Sequence, residues 1–278
     1  MDSLVTTEWL AKELGANDLR IVDASYFLDA RDARAEFEAG HIPGAVFMDL
    51  GELSDTGSSL PNMVPSAEKF ASRMQAIGLG DGSRIVVYDN SPLRSSARAW
   101  WLLTLFGAHE VAILDGGLQK WKAEGRAMES GKPVVRHRHF TVWKDKAQVR
   151  DLAQMKENLK TKTEQVVDAR GAARFRGEEP ETRPGVRPGH IPGSFNLPHS
   201  ELFNEDGTWK QDDALRAAFR DVGIDPEKPV VTTCGSGVTA AVLSFGLHLI
   251  GAKKTALYDG SWSEWGGEAD TPVVTGAA

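Results

Sequence analysis

The sequence contains a single cysteine, Cys234, among its 278 residues, so it cannot form an internal disulfide. Its seven histidines are scattered apart from His137 and His139, and with one cysteine they do not form the two close ligand pairs that are typical of structural zinc. No apolar run approaches the roughly 18–20 residues that span a bilayer, because even the stretch that begins at Trp100 is interrupted at Thr104. The sequence therefore predicts a chain that is folded by its own apolar core and has no membrane span.

Basic residues are also fewer than acidic residues. The chain has 32 Lys and Arg against 39 Asp and Glu, a formal net charge of -7. General binding to nucleic acid would lack its electrostatic driving force, so any anionic substrate must be attracted by local cations. The first residues lack the basic and apolar segments of a signal peptide, and we expect a cytoplasmic, reducing location.

What the sequence does contain is an internal repeat. Three motifs of the first half return in the same order 144 to 149 residues further along. The pairs are RIVDAS at 20–25 with QVVDAR at 165–170, GHIPGA at 40–45 with GHIPGS at 189–194, and LDGG at 114–117 with YDGS at 258–261. Two domains of about 100–200 residues suit this length. We predict tandem domains at 1–125 and 151–278, joined by a linker at 126–150.

Each half alternates short β-branched runs with helical patterns, which predicts an α/β fold with a mainly parallel sheet sandwiched by helices. In the first half we expect strands at 21–22, 85–88 and 111–114 and helices at 66–77 and 96–106. In the second half we expect strands at 166–167, 230–233 and 255–258 and helices at 212–221 and 239–250.

Cys234 ends a buried strand pattern and is followed by a glycine-containing turn and a helix pattern. Ligands of open α/β sheets bind beyond the carboxyl ends of the strands, where a helix N-terminus presents N–H groups and partial positive charge. Both favour a thiolate, and Gly235 and Gly237 let several N–H groups converge on the sulfur. We predict that Cys234 is a nucleophile; the alternative is a small buried apolar residue.

The same order of strand, cysteine, loop and helix occurs in tyrosine phosphatases, which need an arginine six positions after the cysteine. Ala240 stands at that position. The loop therefore lacks the bidentate cation that a phosphate dianion requires, and the sequence argues against phosphate chemistry.

The loop CGSGVTA at 234–240, the two HIPG turns and the ending DGSW at 259–262 together resemble the tandem-domain rhodanese family of sulfurtransferases. The resemblance covers nearly the whole chain. The loop looks like that of members that use 3-mercaptopyruvate, whereas members that use thiosulfate carry basic residues directly after the cysteine. The chemistry agrees, because thiosulfate is a dianion, and Gly235 and Ser236 supply only a backbone amide and a hydroxyl.

The resemblance implies a two-step reaction in which Cys234 takes the sulfur of 3-mercaptopyruvate as a persulfide and pyruvate leaves. A small thiol, thioredoxin or cyanide then removes the outer sulfur, with no metal or organic cofactor. Ser236 would assist catalysis by a hydrogen bond to the substrate carbonyl or the transferred sulfur. The remaining substrate-binding positions of the loop are Gly235, Gly237, Val238 and Thr239.

The substrate carboxylate calls for fixed cations, and arginine matches its geometry best. The segment RFRGEEPETR at 174–183 resembles the family's arginine-bearing substrate loop, which implies that Arg174 and Arg183 clamp the carboxylate. The alternative is that both are solvated charges in a loop that is dense with glutamates. Weaker candidates, expected to pair with those acids, are Arg170, Arg176 and Arg187.

The first half departs from a catalytic pattern. Asp89 stands where the repeat would place the cysteine, so the resemblance implies a catalytically inactive N-terminal domain. Some family members use an acid and a histidine of that domain with the loop serine as a proton relay. Here Gly51 and Asn62 occupy the two positions, so the relay is not carried over. Asp49 or Glu52 could substitute for the acid; the simpler expectation is that Asn62 forms a polar wall.

Two other functions stay open. A thiosulfate:cyanide sulfurtransferase would share the nucleophile and the fold. A non-catalytic rhodanese-like binding module would share only the fold and would have an unreactive Cys234. His41 and His190 lie in the HIPG turns of both halves, including the half without a cysteine, so we expect both to be structural.

Overall fold

The computed structural model describes residues 1–277. The chain forms two compact units, and each takes in a short segment from the other half of the sequence. The first unit comprises Met1–Asp55, Val64–Asp145 and Asn204–Trp209. The second comprises Thr56–Met63, Lys146–Phe203 and the described residues from Lys210 onward.

The first unit is built on a sheet of five parallel strands in the spatial order β1-β5-β4-β2-β3. The strands are β1 (Leu4–Val5), β2 (Leu19–Asp23), β3 (Ala45–Phe47), β4 (Arg84–Tyr88) and β5 (Val111–Leu114). The helices are α1 (Thr7–Glu13), α2 (Ala33–Ala39), α3 (Leu50–Leu53), α4 (Ala67–Ala76), α5 (Ser96–Leu105) and α6 (Gly117–Ala123). Consecutive residues of β4 and β5 are buried, as in a sheet whose two faces are both covered.

The second unit repeats this architecture with the order β6-β10-β9-β7-β8, again parallel throughout. Its strands are β6 (Val149–Arg150), β7 (Gln165–Asp168), β8 (Phe195–Asn196), β9 (Val230–Thr233) and β10 (Thr255–Tyr258). Its helices are α7 (Leu152–Thr161), α8 (Ala172–Arg176), α9 (Asp212–Asp221), α10 (Ala240–Leu249) and α11 (Ser261–Trp265). Two short 3₁₀ helices span Lys146–Gln148 and His199–Leu202.

The predicted α/β class with two parallel sheets is confirmed, and each predicted strand and helix is present. The residues predicted as a linker, 126–150, end in β6, which pairs with β10, so the last two of them belong to the second sheet. The sequence did not indicate β6 because a two-residue strand has too few positions to display an alternating pattern.

Several helices begin where the sequence supplies a capping side chain. Asp151 accepts the Gln154 N–H at 2.8 Å, while the Gln154 side chain accepts the Asp151 N–H, which forms a capping box. The helices that follow the two central strands differ, since α5 and α10 receive no capping bond from the side chains of Ser95 and Thr239. Their N-terminal ends are therefore open to another acceptor.

The apolar cores of the two units are anchored by matching tryptophans. Trp121 and Trp265 are fully buried, and their indole N–H groups donate to the carbonyls of Ala127 and Pro272 at 2.8 and 2.9 Å. Trp100, Trp101 and Trp262 are also buried, as expected of core residues. No helix in the described part of the chain is long and apolar enough to cross a membrane.

The HIPG turns hold their histidines in the same way in both units. His41 stacks on Phe37 with ring centroids 4.0 Å apart, and His190 stacks on Phe175 at 3.7 Å. The Nδ1–H of each histidine donates to the carbonyl of its stacking partner, at 2.7 and 2.8 Å. Burial lowers the pKa of His190. The contacts agree with a structural role for both histidines.

Candidate active site

Cys234 lies directly after β9, at the carboxyl end of the central strand of the second sheet, and only 1% of its surface is exposed. Its Sγ accepts a hydrogen bond from the Gly237 N–H at 3.1 Å. Gly237 adopts φ +82°, a left-handed conformation that glycine adopts without strain and that turns this N–H toward the sulfur. The loop therefore directs one backbone N–H at Sγ, and α10 begins at Ala240, six residues after Cys234.

The DGSW motif at 259–262 and the next residue, Ser263, form hydrogen bonds to the cysteine loop. The Trp262 N–H donates to the Cys234 carbonyl, and the Ser263 N–H donates to the Gly235 carbonyl, both at 2.9 Å. The Ser263 hydroxyl adds a second bond to the Gly235 carbonyl at 2.5 Å, and Ser261 Oγ accepts the Cys234 N–H at 3.4 Å. Sequence reasoning used this motif as a mark of family resemblance and missed its role as the support of the loop.

Arg174, on α8, lies beside the cysteine loop. A Cβ atom at Gly235 would lie 3.5 Å from Nη2 and 3.7 Å from Nη1 of this arginine, so the guanidinium packs against the residue next to Cys234. Its Nη2 donates to Glu181 at 2.5 Å, and its side chain is 31% exposed. Its Nε is buried and has no hydrogen-bond partner among the described residues. The guanidinium therefore has donor capacity left for a ligand.

Glu181 joins Arg174 to a buried ion-pair network. Its side chain is 4% exposed and bridges Arg174 and Arg170, whose Nη1 lies 2.9 Å from Oε1. The guanidinium of Arg170, fully buried, also binds both oxygens of Asp168. Burial would lower the pKa of Arg170, but the charges of Asp168 and Glu181 outweigh it and raise this pKa. The network therefore holds Glu181 in place, and Glu181 in turn holds the guanidinium of Arg174.

The other predicted arginines have different surroundings. Arg176 forms an exposed ion pair with Glu178, as expected. Arg187 was expected to pair with the glutamates, and this was wrong: its guanidinium donates to the carbonyls of Gly266, Trp265 and Glu268, which end α11. Carbonyls at a helix C-terminus lack intrahelical partners, and a cation satisfies them. Arg183 is half-buried in a turn in which its carbonyl accepts the Val186 N–H.

Ser236 is half-buried in the cysteine loop, and its Oγ accepts a hydrogen bond from Asn62 Nδ2 at 3.1 Å. Asn62 belongs to the second unit through the segment Thr56–Met63 and has φ +55°, a conformation that asparagine tolerates better than most residues. Because the Asn62 amide is the donor in this bond, the Ser236 hydroxyl can donate its own proton to another acceptor. Asn62 is thus a polar neighbour of the loop.

Val238 and Thr239 lie at the entrance to α10. Val238 is buried, and its carbonyl accepts the Ala241 N–H at 3.2 Å, while the Thr239 carbonyl accepts the Val242 N–H at 3.1 Å. These bonds set the first turn of the helix. The N–H that the structure directs at the sulfur is that of Gly237, and a role for Val238 and Thr239 in substrate binding stays a prediction.

In the first unit, Asp89 follows β4 at the position that corresponds to Cys234. It is 6% exposed, and its carboxylate accepts the N–H of Ser91 at 2.9 Å and the N–H of Ser96, the first residue of α5, at 2.8 Å. A carboxylate thus satisfies this helix start from within the chain. The first unit has an acid where the second has its sulfur.

Together these contacts define a two-domain α/β protein whose single cysteine lies in a loop between a central strand and a helix, beside the guanidinium of Arg174. The model of the rhodanese-like domain family matches residues 6–124 and 151–268. The chain therefore belongs to the rhodanese-like family and carries two copies of its domain.

Named relatives are similar over nearly the full length. Human 3-mercaptopyruvate sulfurtransferase is 42% identical over 271 residues, which cover 95% of this chain and 91% of the relative. The enzyme of the same name from Escherichia coli K12 is 41% identical and covers 97% and 96%. The crystal structure of SseA from Escherichia coli superposes on this chain with a TM-score of 0.86 at 38% identity. The match covers 95% of this chain and all of SseA, and that structure is described as showing the rhodanese fold and catalytic mechanism of 3-mercaptopyruvate sulfurtransferases.

Proposed function

We propose that this chain is a sulfurtransferase that moves sulfur from 3-mercaptopyruvate, through a persulfide on Cys234, to a thiol acceptor or cyanide, with release of pyruvate. The observation that carries the proposal is the position of Cys234, whose sulfur accepts the Gly237 N–H beside the guanidinium of Arg174. Full-length relatives with this activity in their names support it.

In the first step the Cys234 thiolate attacks the thiol sulfur of the substrate. A sulfur–sulfur bond forms, the carbon–sulfur bond breaks, and its electron pair stays on carbon as the enolate of pyruvate, which then takes up a proton. The outer sulfur keeps its own proton or releases it to solvent. Amide N–H groups of the loop, with Gly237 already aimed at the sulfur, stabilise the charge that develops.

Arg174 binds the substrate carboxylate in this proposal, with Arg183 as the second cation. The partly exposed guanidinium of Arg174 supplies the donors. Ser236 donates its hydroxyl proton to the substrate carbonyl, because its oxygen is already the acceptor for Asn62. Asn62 does not titrate, so the proton for the enolate comes from another group or from water.

The charge of the site favours 3-mercaptopyruvate over thiosulfate as the donor. Gly235 and Ser236, the residues after the cysteine, bring no charge, and the positive charge of Arg174 is partly offset by Glu181. A monocarboxylate suits such a site better than a dianion, which needs several cations close to its oxygens.

In the second step an acceptor thiolate or cyanide attacks the outer sulfur and releases the Cys234 thiolate. The acceptor must come from outside, because the chain has no second cysteine to resolve the persulfide. A small thiol or a protein dithiol such as thioredoxin fits this requirement. The first unit, with Asp89 in place of the cysteine, takes no covalent part in this proposal.

Steady-state kinetics with two donors tests the proposal. We expect pyruvate release from 3-mercaptopyruvate with a kcat/KM well above that for sulfur transfer from thiosulfate to cyanide. A higher kcat/KM for thiosulfate would replace the proposal with a thiosulfate:cyanide sulfurtransferase. Absence of both activities, with Cys234 unreactive to alkylation near neutral pH, would leave a non-catalytic binding module.

Arg174→Ala is expected to lower kcat/KM for 3-mercaptopyruvate by about 10- to 100-fold, mainly through KM. A hydrogen bond to a charged group contributes roughly 1.5–3 kcal/mol, and Glu181 keeps its other partner, Arg170, so the fold is retained. Arg176→Ala is the matched control, because Arg176 lies on the same helix and pairs only at the surface. Equal kinetics of both variants and the wild type would remove Arg174 from the binding site.

Asn62→Gly is expected to lower kcat by about three- to tenfold, since a neutral hydrogen bond of roughly 1 kcal/mol no longer positions Ser236. Glycine accepts the φ of +55° at this position, so the loss reports the amide rather than backbone strain. We expect Ser236→Ala to show the same or a larger loss, and the double variant to lose no more than Ser236→Ala alone. Additive losses would mean that Asn62 does not act through Ser236.

A further inference from the structure

The first unit contains a cavity of about 240 Å³ at the carboxyl ends of β2 and β4. The cysteine loop of the second unit lies at the same end of its own sheet. Its lining includes Asp23, Ser25, Glu36, Gly40 and Leu118, with Lys122 also among the wall residues. Asp89 fills the anion position of this unit from within, so the cavity is not a second cysteine-type site.

The repeat identifies what occupies the corresponding place in the second unit. Ser25 corresponds to Arg170, because both lie two residues after the strand-end aspartate of their motif. The Arg170 guanidinium binds Asp168 at 2.7 Å and the Gly189 carbonyl at 2.8 Å, and it lies 4.6 Å from the ring centre of Trp262. A buried guanidinium therefore occupies this place in the second unit.

The counterparts of those three contact residues line the cavity of the first unit. Asp23 corresponds to Asp168 and Gly40 to Gly189, since each pair occupies the same position in a repeated motif. Leu118 corresponds to Trp262, because both follow the third residue of the DGG or DGS turn. Arg170 and Trp262 are thus replaced by the smaller Ser25 and Leu118, both of which line the cavity. Tyr88, which stands in place of Thr233, provides Asp23 with a neutral hydroxyl partner.

The first unit keeps, as Asp23, the aspartate that binds the Arg170 guanidinium in the second unit. Asp23 is 2% exposed, and its Oδ1 accepts the Ser25 N–H at 2.8 Å. Burial raises the pKa of Asp23 to about 6, so the carboxylate carries a buried negative charge at neutral pH. In the second unit the matching charge of Asp168 is neutralised by Arg170. A buried carboxylate beside open space is stabilised by a cation that enters that space.

The charge of the neighbouring position is inverted between the two units. Glu36 directly precedes the phenylalanine that stacks on the HIPG histidine, as Arg174 does in the second unit. The second unit therefore has two guanidinium groups at positions where the first has Ser25 and Glu36, while the strand-end aspartate is present in both. The acidic lining of the first cavity disfavours anions. Lys122 supplies one cation to the same cavity, where it can meet a ligand carboxylate.

We propose that this cavity binds a small guanidinium-bearing compound of the arginine or agmatine type, with its guanidinium between the Asp23 carboxylate and the Gly40 backbone. The ligand reproduces the contacts that Arg170 makes with Asp168 and Gly189 in the second unit. A planar cation with several donors fits such a site better than a compact ammonium group. The cavity volume leaves room for a short aliphatic chain beyond the guanidinium.

Calorimetric titration of the full chain with agmatine tests this binding, with butylamine as the ammonium comparison. We expect saturable binding of one agmatine per chain, with weaker binding of butylamine. Asp23→Asn and Leu118→Trp are each expected to weaken agmatine binding by at least about tenfold, the first by removing the charge and the second by filling the space as Trp262 does. The double variant Ser25→Arg, Leu118→Trp rebuilds the arrangement of the second unit and is expected to abolish binding.

Glu38→Gln is the matched control, because Glu38 lies on α2 with Glu36 but does not line the cavity. It should bind agmatine like the wild type. Cys234→Ser should also bind normally, so failure of sulfur transfer and failure of this site are separate results. Thermal unfolding of each variant shows whether it folds. No saturable binding to the wild type, or binding that Leu118→Trp leaves unchanged in a folded protein, would overturn the proposal.

Discussion

Replacement of Cys234 by serine is expected to lower pyruvate release from 3-mercaptopyruvate by at least about a thousandfold. The thiolate is both the nucleophile and the atom that carries the transferred sulfur, and a serine hydroxyl does neither. The loop that surrounds it stays intact, because its supports are the backbone bonds from Trp262 and Ser263 to the carbonyls of Cys234 and Gly235.

The control for this variant is its stability. Serine places an oxygen where it can accept the Gly237 N–H, so we expect an unfolding midpoint close to that of the wild type. Alkylation of the wild type at Cys234 should abolish activity to the same extent. More than a tenth of the wild-type rate in the folded Cys234→Ser protein would show that the sulfur of Cys234 does not carry the reaction.

Arg170→Met is expected to lower the free energy of unfolding by about 3–5 kcal/mol, the cost of leaving buried charges without their partner. Both Arg170 and Asp168 have side chains that are 1% exposed, and Glu181 is 4% exposed. Methionine fills much of the space over Trp262 but supplies no hydrogen bond to either carboxylate. Denaturant unfolding, followed by circular dichroism, measures the loss.

Arg176→Met is the matched control for that variant, since the Arg176 ion pair with Glu178 is exposed to solvent. We expect no measurable change in its unfolding free energy. Because Glu181 also binds Arg174, we expect any folded Arg170→Met protein to show a raised KM for 3-mercaptopyruvate. Equal stability of the two variants would mean that the buried network does not support the second unit.

The fold was predictable because the repeat supplies two independent copies of each pattern. The central strands are continuous runs of buried β-branched residues, such as Val230–Thr233, and their ends in the structure agree with the sequence. The edge strands Leu4–Val5 and Val149–Arg150 were not predicted, since two residues show no periodicity. Their pairing depends on the neighbouring strands β5 and β10.

The site was predictable in part. Strand end, glycine loop and helix start identified Cys234 from local sequence, and the structure brings Arg174 to its loop. The roles of Glu181 and Ser263 were missed, because each acts through a contact made by folding. Glu181 reaches Arg170 from 11 residues along the chain, and Ser263 reaches Gly235 from 28 residues away. Such pairs leave no periodic signal in a single sequence.

The most direct test of the central claim is the intact mass of the protein after incubation with 3-mercaptopyruvate in the absence of an acceptor. We expect the mass to rise by one sulfur atom per chain, with one pyruvate released, and peptide mapping to place the sulfur on Cys234. Addition of a thiol or cyanide should return the original mass. Pyruvate release without added sulfur, or sulfur of the same stoichiometry on Cys234→Ser, would contradict a persulfide mechanism at this residue.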